Sequence, residues 1–275
     1  MTITVGWKRE RILVLVKAYP QPSKKYGESV CTAGITSTGE WIRLFPVEFR
    51  TLPIESTFEK WTWIEANIIK SSDPRPESHK IDHDSIISLH KVETSGQWRL
   101  RKKILLPLCI SSLEELKTLH DLNKTSLGIF KPKHVEGLVI EPTSQEWNTK
   151  KQEALNRAIS QPSLFDRRKV SLKPIEKVPY KFSYKFTCDN PNCKGHTLQI
   201  LDWEINQSYR KWKIYYGSEE IALEMIRKKY FEEFTEKCDL YFIMGTLKSM
   251  DKFRQFSIIG LVYPPKVKYE QFSLF

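Results

Sequence analysis

Five consecutive apolar residues, Ile12 to Val16, follow the polar stretch Lys8-Arg-Glu-Arg11. An unbroken apolar run of that length reads as a strand buried on both faces. Ser29–Ile35 and Trp41–Phe45 flank Ser37-Thr-Gly39, which predicts a hairpin turn. Trp61–Ile69, Ile86–Val92 and Trp98–Leu106 are further predicted strands. The stretch Ser71–His79 holds two prolines and is predicted to be an irregular, charged loop that shapes a ligand-facing edge.

Helical patterns come later. Ser112-Leu-Glu-Glu115 is a capping-box pattern opening a helix to about Asp121. Gln145–Ser160 is a second helix, stopped by Pro162. A third follows Gly217-Ser218 and runs to about Lys237, with Ile221, Met225, Ile226, Tyr230 and Phe234 as its core stripe. Strands Leu240–Gly245 and Phe256–Tyr263 close the chain before Pro264-Pro265, and an exposed tail follows from Lys266. The pattern predicts an α+β fold, mainly antiparallel β. It divides the chain into a β-rich part, 1–142, a helix and basic linker, 143–178, and an α+β part with a peptide tail, 179–275.

Ile12-Leu-Val-Leu-Val16, Val30-Cys-Thr-Ala-Gly-Ile35 and Gly39-Glu-Trp-Ile-Arg43 together resemble the opening of bacterial dual-OB-containing domains. The resemblance covers roughly the first 50 residues. It departs at Leu44-Phe45-Pro46-Val47, where that family usually continues Arg-Pro-Val. It implies an OB-like N-terminal barrel that binds nucleic acid, with no catalytic set. In this segment Trp41 and Leu44 or Phe45 are candidate core, and Arg43 either contacts phosphate or pairs with a carboxylate.

Composition adds a partner class. The chain has 44 Lys and Arg against 33 Asp and Glu, a formal charge of +11. That surplus favours a polyanionic partner, nucleic acid with DNA as the leading expectation. No run approaches the roughly 18 apolar residues of a membrane helix. The N-terminus has neither an apolar h-region nor a small-residue cleavage site, so a cytoplasmic location is expected. Five cysteines are too few and too scattered for a disulfide scaffold.

Cys188-Asp-Asn-Pro-Asn-Cys193-Lys-Gly-His196 carries the most specific chemistry. Two thiols across an Asn-Pro turn reach one tetrahedral zinc, and Gly195 lets His196 join them. Cys238 is the candidate fourth ligand, with Asp202 and Glu204 as alternatives. The expected site is structural, giving a smaller zinc-stabilised α/β C-terminal part. Asp202-Trp-Glu204, read as a strand with both carboxylates on one face, also admits a metal-dependent nuclease.

Pro179–Phe186 alternates aromatic and polar residues: Tyr180, Phe182, Tyr184 and Phe186 face the core, while Lys181 and Lys185 face water. With Arg167, Arg168 and Lys169, those lysines form a candidate phosphate-tracking stripe. His79, His83 and His90 lie among acidic residues and read as surface polar groups. The final Gln271-Phe-Ser-Leu-Phe275 resembles peptides that dock on bacterial sliding clamps, with Gln271, Leu274 and Phe275 as anchors. Gln161-Pro-Ser-Leu-Phe165 is a second copy.

No glycine-rich phosphate loop, Rossmann fingerprint or Ser-His-Asp order stands out, which disfavours the common cofactor enzymes. The leading expectation is a non-enzymatic nucleic-acid-binding protein with a structural zinc and a partner-docking tail. The alternatives are a metal-dependent nuclease and an interaction subunit of a larger complex, such as a phage-defence system.

Overall fold

The computed structural model describes residues 6–23, 27–49, 52–160, 176–247 and 255–267. The N-terminal part holds β1 (Lys8–Lys17), β2 (Gln21–Ser23), β3 (Gly27–Thr36), β4 (Trp41–Val47), β5 (Thr62–Lys70), β6 (Ser78–Ile81) and β7 (Ile87–Lys91). Five of these close into a barrel, in the ring order β1-β3-β4-β6-β5 and back to β1. All its pairings are antiparallel except β4 with β6. This small Greek-key ring fits an OB-like barrel. Short β2 pairs with β3, and β7 extends from β5.

The run Ile12–Val16 is buried on both faces for a definite reason. Ile12 and Val14 point into the barrel with Ile42, Leu44, Ile64 and Ile68. Leu13 and Leu15 point outward into a second core shared with Leu127, Ile129, Ile243 and Ile259. Gly34 lies where β3 crosses β1, and a Cβ there would sit 2.1 Å from the Leu13 carbonyl oxygen. Only glycine permits that approach.

After β7 comes α1 (Ser95–Leu105), which lies over the second core through Leu105 and Trp98. The predicted strand Trp98–Leu106 is therefore a helix. Its inward residues Trp98, Arg101 and Leu105 have helical spacing, which the apparent alternation masked.

The C-terminal part holds α2 (Leu113–Asn123), β8 (Leu127–Phe130), β9 (His134–Pro142), α3 (Thr149–Ser160), β10 (Tyr180–Thr187), β11 (His196–Gln199) and α4 (Trp203–Tyr216). Then come α5 (Glu219–Arg227), a π-helical turn (Lys228–Glu233), α6 (Phe234–Lys237), β12 (Tyr241–Thr246) and β13 (Phe256–Val262). Two three-stranded sheets result, β11-β10-β9 and β13-β12-β8. They enclose an aromatic core in which Tyr184 stacks on Phe242 at 5.2 Å. The unit 1–142 read from the sequence contains β8 and β9, and these pair with β12 and β10 of the C-terminal part.

Helix α4 replaces the strand read at Leu201–Glu204. Asp202 is its N-cap, accepting from the Glu204 N–H at 2.9 Å, and Gly217 is its left-handed C-cap. The core stripe of the following helical segment is Ala222, Ile226, Tyr230 and Phe234, with Ile221 exposed. The π-helical turn keeps this four-residue spacing on one face.

The loop before β6 joins the two parts instead of facing a ligand. Arg75 is buried and donates to the Thr246 carbonyl at 2.7 Å while pairing with Asp73. The Glu77 carboxylate accepts from the Ser126 N–H and hydroxyl and from the Leu127 N–H. Among the described residues, no helix is long and apolar enough to cross a membrane.

Candidate metal centre

Ser112 caps α2 by accepting from the Glu115 N–H at 3.1 Å, as its motif predicts. The Glu115 carboxylate reaches one residue further back, to the N–H and hydroxyl of Ser111. This cap fixes the first turn of α2, and with it Glu114, against the end of β10. Cys188 follows β10 directly. Asn190 then turns the chain, accepting from Asn192 N–H through its side chain and from Cys193 N–H through its carbonyl. Gly195, at φ +85°, completes the reversal into His196, the first residue of β11. Few residues but glycine adopt that backbone geometry.

Glu114, Cys188, Cys193 and His196 converge there, with one donor atom from each within 4.8 Å of the others. His196 Nε2 is 2.8 Å from Glu114 Oε1 and 3.4 Å from Cys193 Sγ. The Leu113 N–H, at the α2 N-terminus, donates to Cys188 Sγ at 3.5 Å. The Cys188 N–H donates to Cys193 Sγ at 3.2 Å. Such N–H groups stabilise metal-bound thiolates from outside the ligand shell. The second carboxylate oxygen of Glu114 is buried without a hydrogen-bond partner.

Burial pushes the Cys188 thiol up to about 12. Burial would also raise Glu114. Hydrogen bonding at the helix N-terminus and the nearby His196 outweigh it and hold the carboxyl below its usual value. Two thiols, an imidazole and a carboxylate can hold a metal ion.

The sequence brought three of these four residues together and missed Glu114. No spacing links position 114 to 188–196, and only the capping box hinted that a helix start lay near. The expected fourth ligand, Cys238, is instead in a β-bridge with Pro265, outside the cluster. Asp202 and Glu204 are elsewhere too. Lys60 reaches from the barrel to within 2.9 Å of Asp202 and 3.2 Å of Glu204. Asp202 also accepts from the Leu261 N–H at 2.9 Å. Its oxygens are thus committed to a buried junction, and neither Asp202 nor Glu204 belongs to the ligand cluster found among the described residues.

The basic residues divide. Arg43 is buried, 2% exposed, and donates to the Ser126 carbonyl at 3.2 Å and hydroxyl at 3.1 Å. Its guanidinium ties the barrel to the C-terminal part and does not face phosphate. Lys181 and Lys185 do lie on the solvent face of β10, each 2.9 Å from a glutamate of β9, Glu141 and Glu136. That face is a row of ion pairs. Phe182, Tyr184 and Phe186 are core, as their alternation predicts. Arg167, Arg168, Lys169 and the peptides Gln161–Phe165 and Gln271–Phe275, with Leu274, lie outside the described residues.

A family model described as a domain of unknown function, DUF8757, matches residues 110–275. A second, DUF8758, also described as a domain of unknown function, matches residues 8–107. No curated protein matches the chain.

Proposed function

We propose that this chain, which belongs to the DUF8757 family, is a nucleic-acid-binding protein whose contacts are made by basic segments of its sequence. Charge distribution carries the reading. Of the 44 Lys and Arg, 11 fall outside the described residues, against only 3 of the 33 Asp and Glu. The described fold is therefore nearly balanced, and most of the +11 belongs to the intervening segments.

Lys24 and Lys25 lie between β2 and β3, and Arg50 follows Phe49. Arg167, Arg168, Lys169 and Lys173 lie between α3, which packs on β2 and β3, and Glu176, whose carbonyl accepts from Tyr19. Phe49, just before Arg50, lies against the Lys17 ammonium, and Glu176, just after the third segment, accepts from Tyr19. Clustered cations of this kind suit a single strand, whose backbone they neutralise.

The metal in the Glu114–Cys188–Cys193–His196 cluster is zinc in this reading. Tetrahedral bonds of about 2.0–2.3 Å place donor atoms roughly 3.3–3.8 Å apart, well within the observed spread. Four protein donors make the site closed and structural. It supports the end of β10 and the start of α2.

The test is fluorescence anisotropy with a thymidine oligonucleotide of about 20 residues at about 50 and 200 mM salt. Saturable binding that weakens steeply with salt is expected. Arg167→Ala/Arg168→Ala/Lys169→Ala should lower the slope by roughly 2, at about 0.7 per single-strand phosphate contact. Absence of salt-dependent binding to DNA and RNA, or an unchanged slope in the triple variant, overturns the reading.

A further inference from the structure

Beside the metal centre, a cavity of about 640 Å³ lies between α2, the free edge of β11 and the first residues of β13. His196 and Leu113 stand on its wall, so the turn that gathers the metal ligands also shapes this space. Its volume falls within the range of small-molecule sites. At one end the two strand edges meet, where the Leu201 N–H donates to the Ile258 carbonyl at 2.7 Å. That bond joins the two sheets beside the cavity.

The lining has a definite chemistry. Leu198 and Phe256 give apolar surface, and Lys117, Gln199, Gln255 and Ser257 give one cation, two primary amides and a hydroxyl. None of these four polar side chains hydrogen-bonds or ion-pairs with another described residue. Gln255 is exposed and the other three are half-buried, so all four are accessible to a ligand. Each amide offers both a donor and an acceptor, the complement of a nucleobase edge. The apolar walls suit the faces of a planar ring, and Lys117 suits an attached anion.

We infer that this cavity binds a nucleotide unit, with the base against Leu198 and Phe256, its edge on Gln199 and Gln255, and its phosphate at Lys117. A free nucleotide and a nucleotide within a single strand share this chemistry. The inference does not rest on strand binding by the basic segments, because the two sites use different residues.

The experiment is calorimetric titration of the full, zinc-loaded chain with AMP, GMP, CMP and UMP, alongside adenosine and inorganic phosphate. Saturable binding of at least one monophosphate is expected, with the isolated nucleoside and phosphate each at least tenfold weaker. Lys117→Ala should weaken the monophosphate at least tenfold, and Gln255→Ala should change the preference among bases. Both variants should keep the wild-type melting temperature, since neither side chain has a partner among the described residues. Competition by a short oligonucleotide assigns the site to a strand, and its absence assigns it to free nucleotide; either supports the inference. The Arg167/Arg168/Lys169 triple variant should bind monophosphates normally, which separates this site from the basic segments. No saturable binding of any monophosphate up to about 10 mM, or unchanged affinity and base preference in both cavity variants, overturns it.

Discussion

Lys60 in the barrel and Asp202 at the start of α4 form a buried ion pair, Nζ to Oδ2 at 2.9 Å, across the two halves of the chain. Burial alone pulls the Lys60 ammonium down. The carboxylates of Asp202 and Glu204 outweigh it and hold the ammonium above the ordinary lysine range. Asp202 also caps its helix and accepts from Leu261, so one carboxylate anchors α4, β13 and the barrel together.

Breaking this pair strands a charge. Lys60→Ala should cost about 3–5 kcal/mol, the usual price of an uncompensated buried carboxylate. Glu204→Gln removes a partly exposed partner and should cost at most about 1 kcal/mol. Urea denaturation of the two variants checks the contrast. Equal, small losses would mean that water reaches Asp202 in solution.

The family matches divide near residues 107–110, but the packing does not. Arg43, Arg75 and Glu77 each cross from the barrel to backbone or side-chain groups of the C-terminal part. Leu13 and Ile35 share a core with Ile129 and Ile259. Thermal unfolding should therefore be a single cooperative transition, and residues 1–109 expressed alone should expose this shared face and aggregate. Glu77→Gln leaves the Ser126 N–H, the Ser126 hydroxyl and the Leu127 N–H worse satisfied, and should lower stability by roughly 1–3 kcal/mol. Two separate calorimetric peaks would show independent parts instead.

Purified protein should carry one zinc per chain by elemental analysis. Cys193→Ser should lose it and lower the melting temperature, because metal binding free energy is folding free energy. Glu114→Gln should weaken zinc at least ~10-fold, whereas Cys238→Ser should retain it. Zinc loss in Cys238→Ser with retention in Glu114→Gln would reverse the ligand assignment.

Much of this architecture was legible in the pattern of residues. The run Ile12–Val16, the hairpin at Ser37–Gly39 and the aromatic alternation Tyr180–Phe186 encode burial directly, so strands β1, β3, β4 and β10 follow from them. Two helices were hidden. Helix α4 packs through Ile205, Tyr209 and Trp212, β-favouring residues whose 4-3 spacing outweighs their propensity once Asp202 caps the N-terminus. Helix α1 begins with Gly96, Gln97 and Trp98 at positive φ, a backbone path that no propensity signals. At the metal centre, the local spacing of Cys188, Cys193 and His196 was readable, while Glu114 arrives from another helix by tertiary packing alone. Arg43 sits in a strand pattern that gives no sign of what lies across it. Only Ser126, eighty-three residues later in sequence, decides its role.

Lys17 gives a pH test that depends on none of these assignments. Its ammonium is buried, lies 3.1 Å from the centre of the Phe49 ring and donates to the Phe58 carbonyl at 3.2 Å. Burial is the main cause that lowers it to about 8, opposed by the field of Glu59, with Lys60 adding to the lowering and Glu204 opposing it. An unfolded lysine holds its proton to about 10.4. Between these values the unfolded chain binds the extra proton, so stability from this group rises as pH rises from about 8 to about 10.4. Below pH 8 both states are protonated and the full cost of burying the charge is present. The interval corresponds to about 3 kcal/mol. Lys17→Met keeps the apolar stem without the charge, so it should be more stable than wild type by up to that amount at pH 7. The advantage should shrink as pH rises toward 10. Denaturant midpoints for both proteins at pH 7, 9 and 10 measure it. A difference that does not change with pH would mean that the Phe49 ring and the Phe58 carbonyl fully compensate the charge.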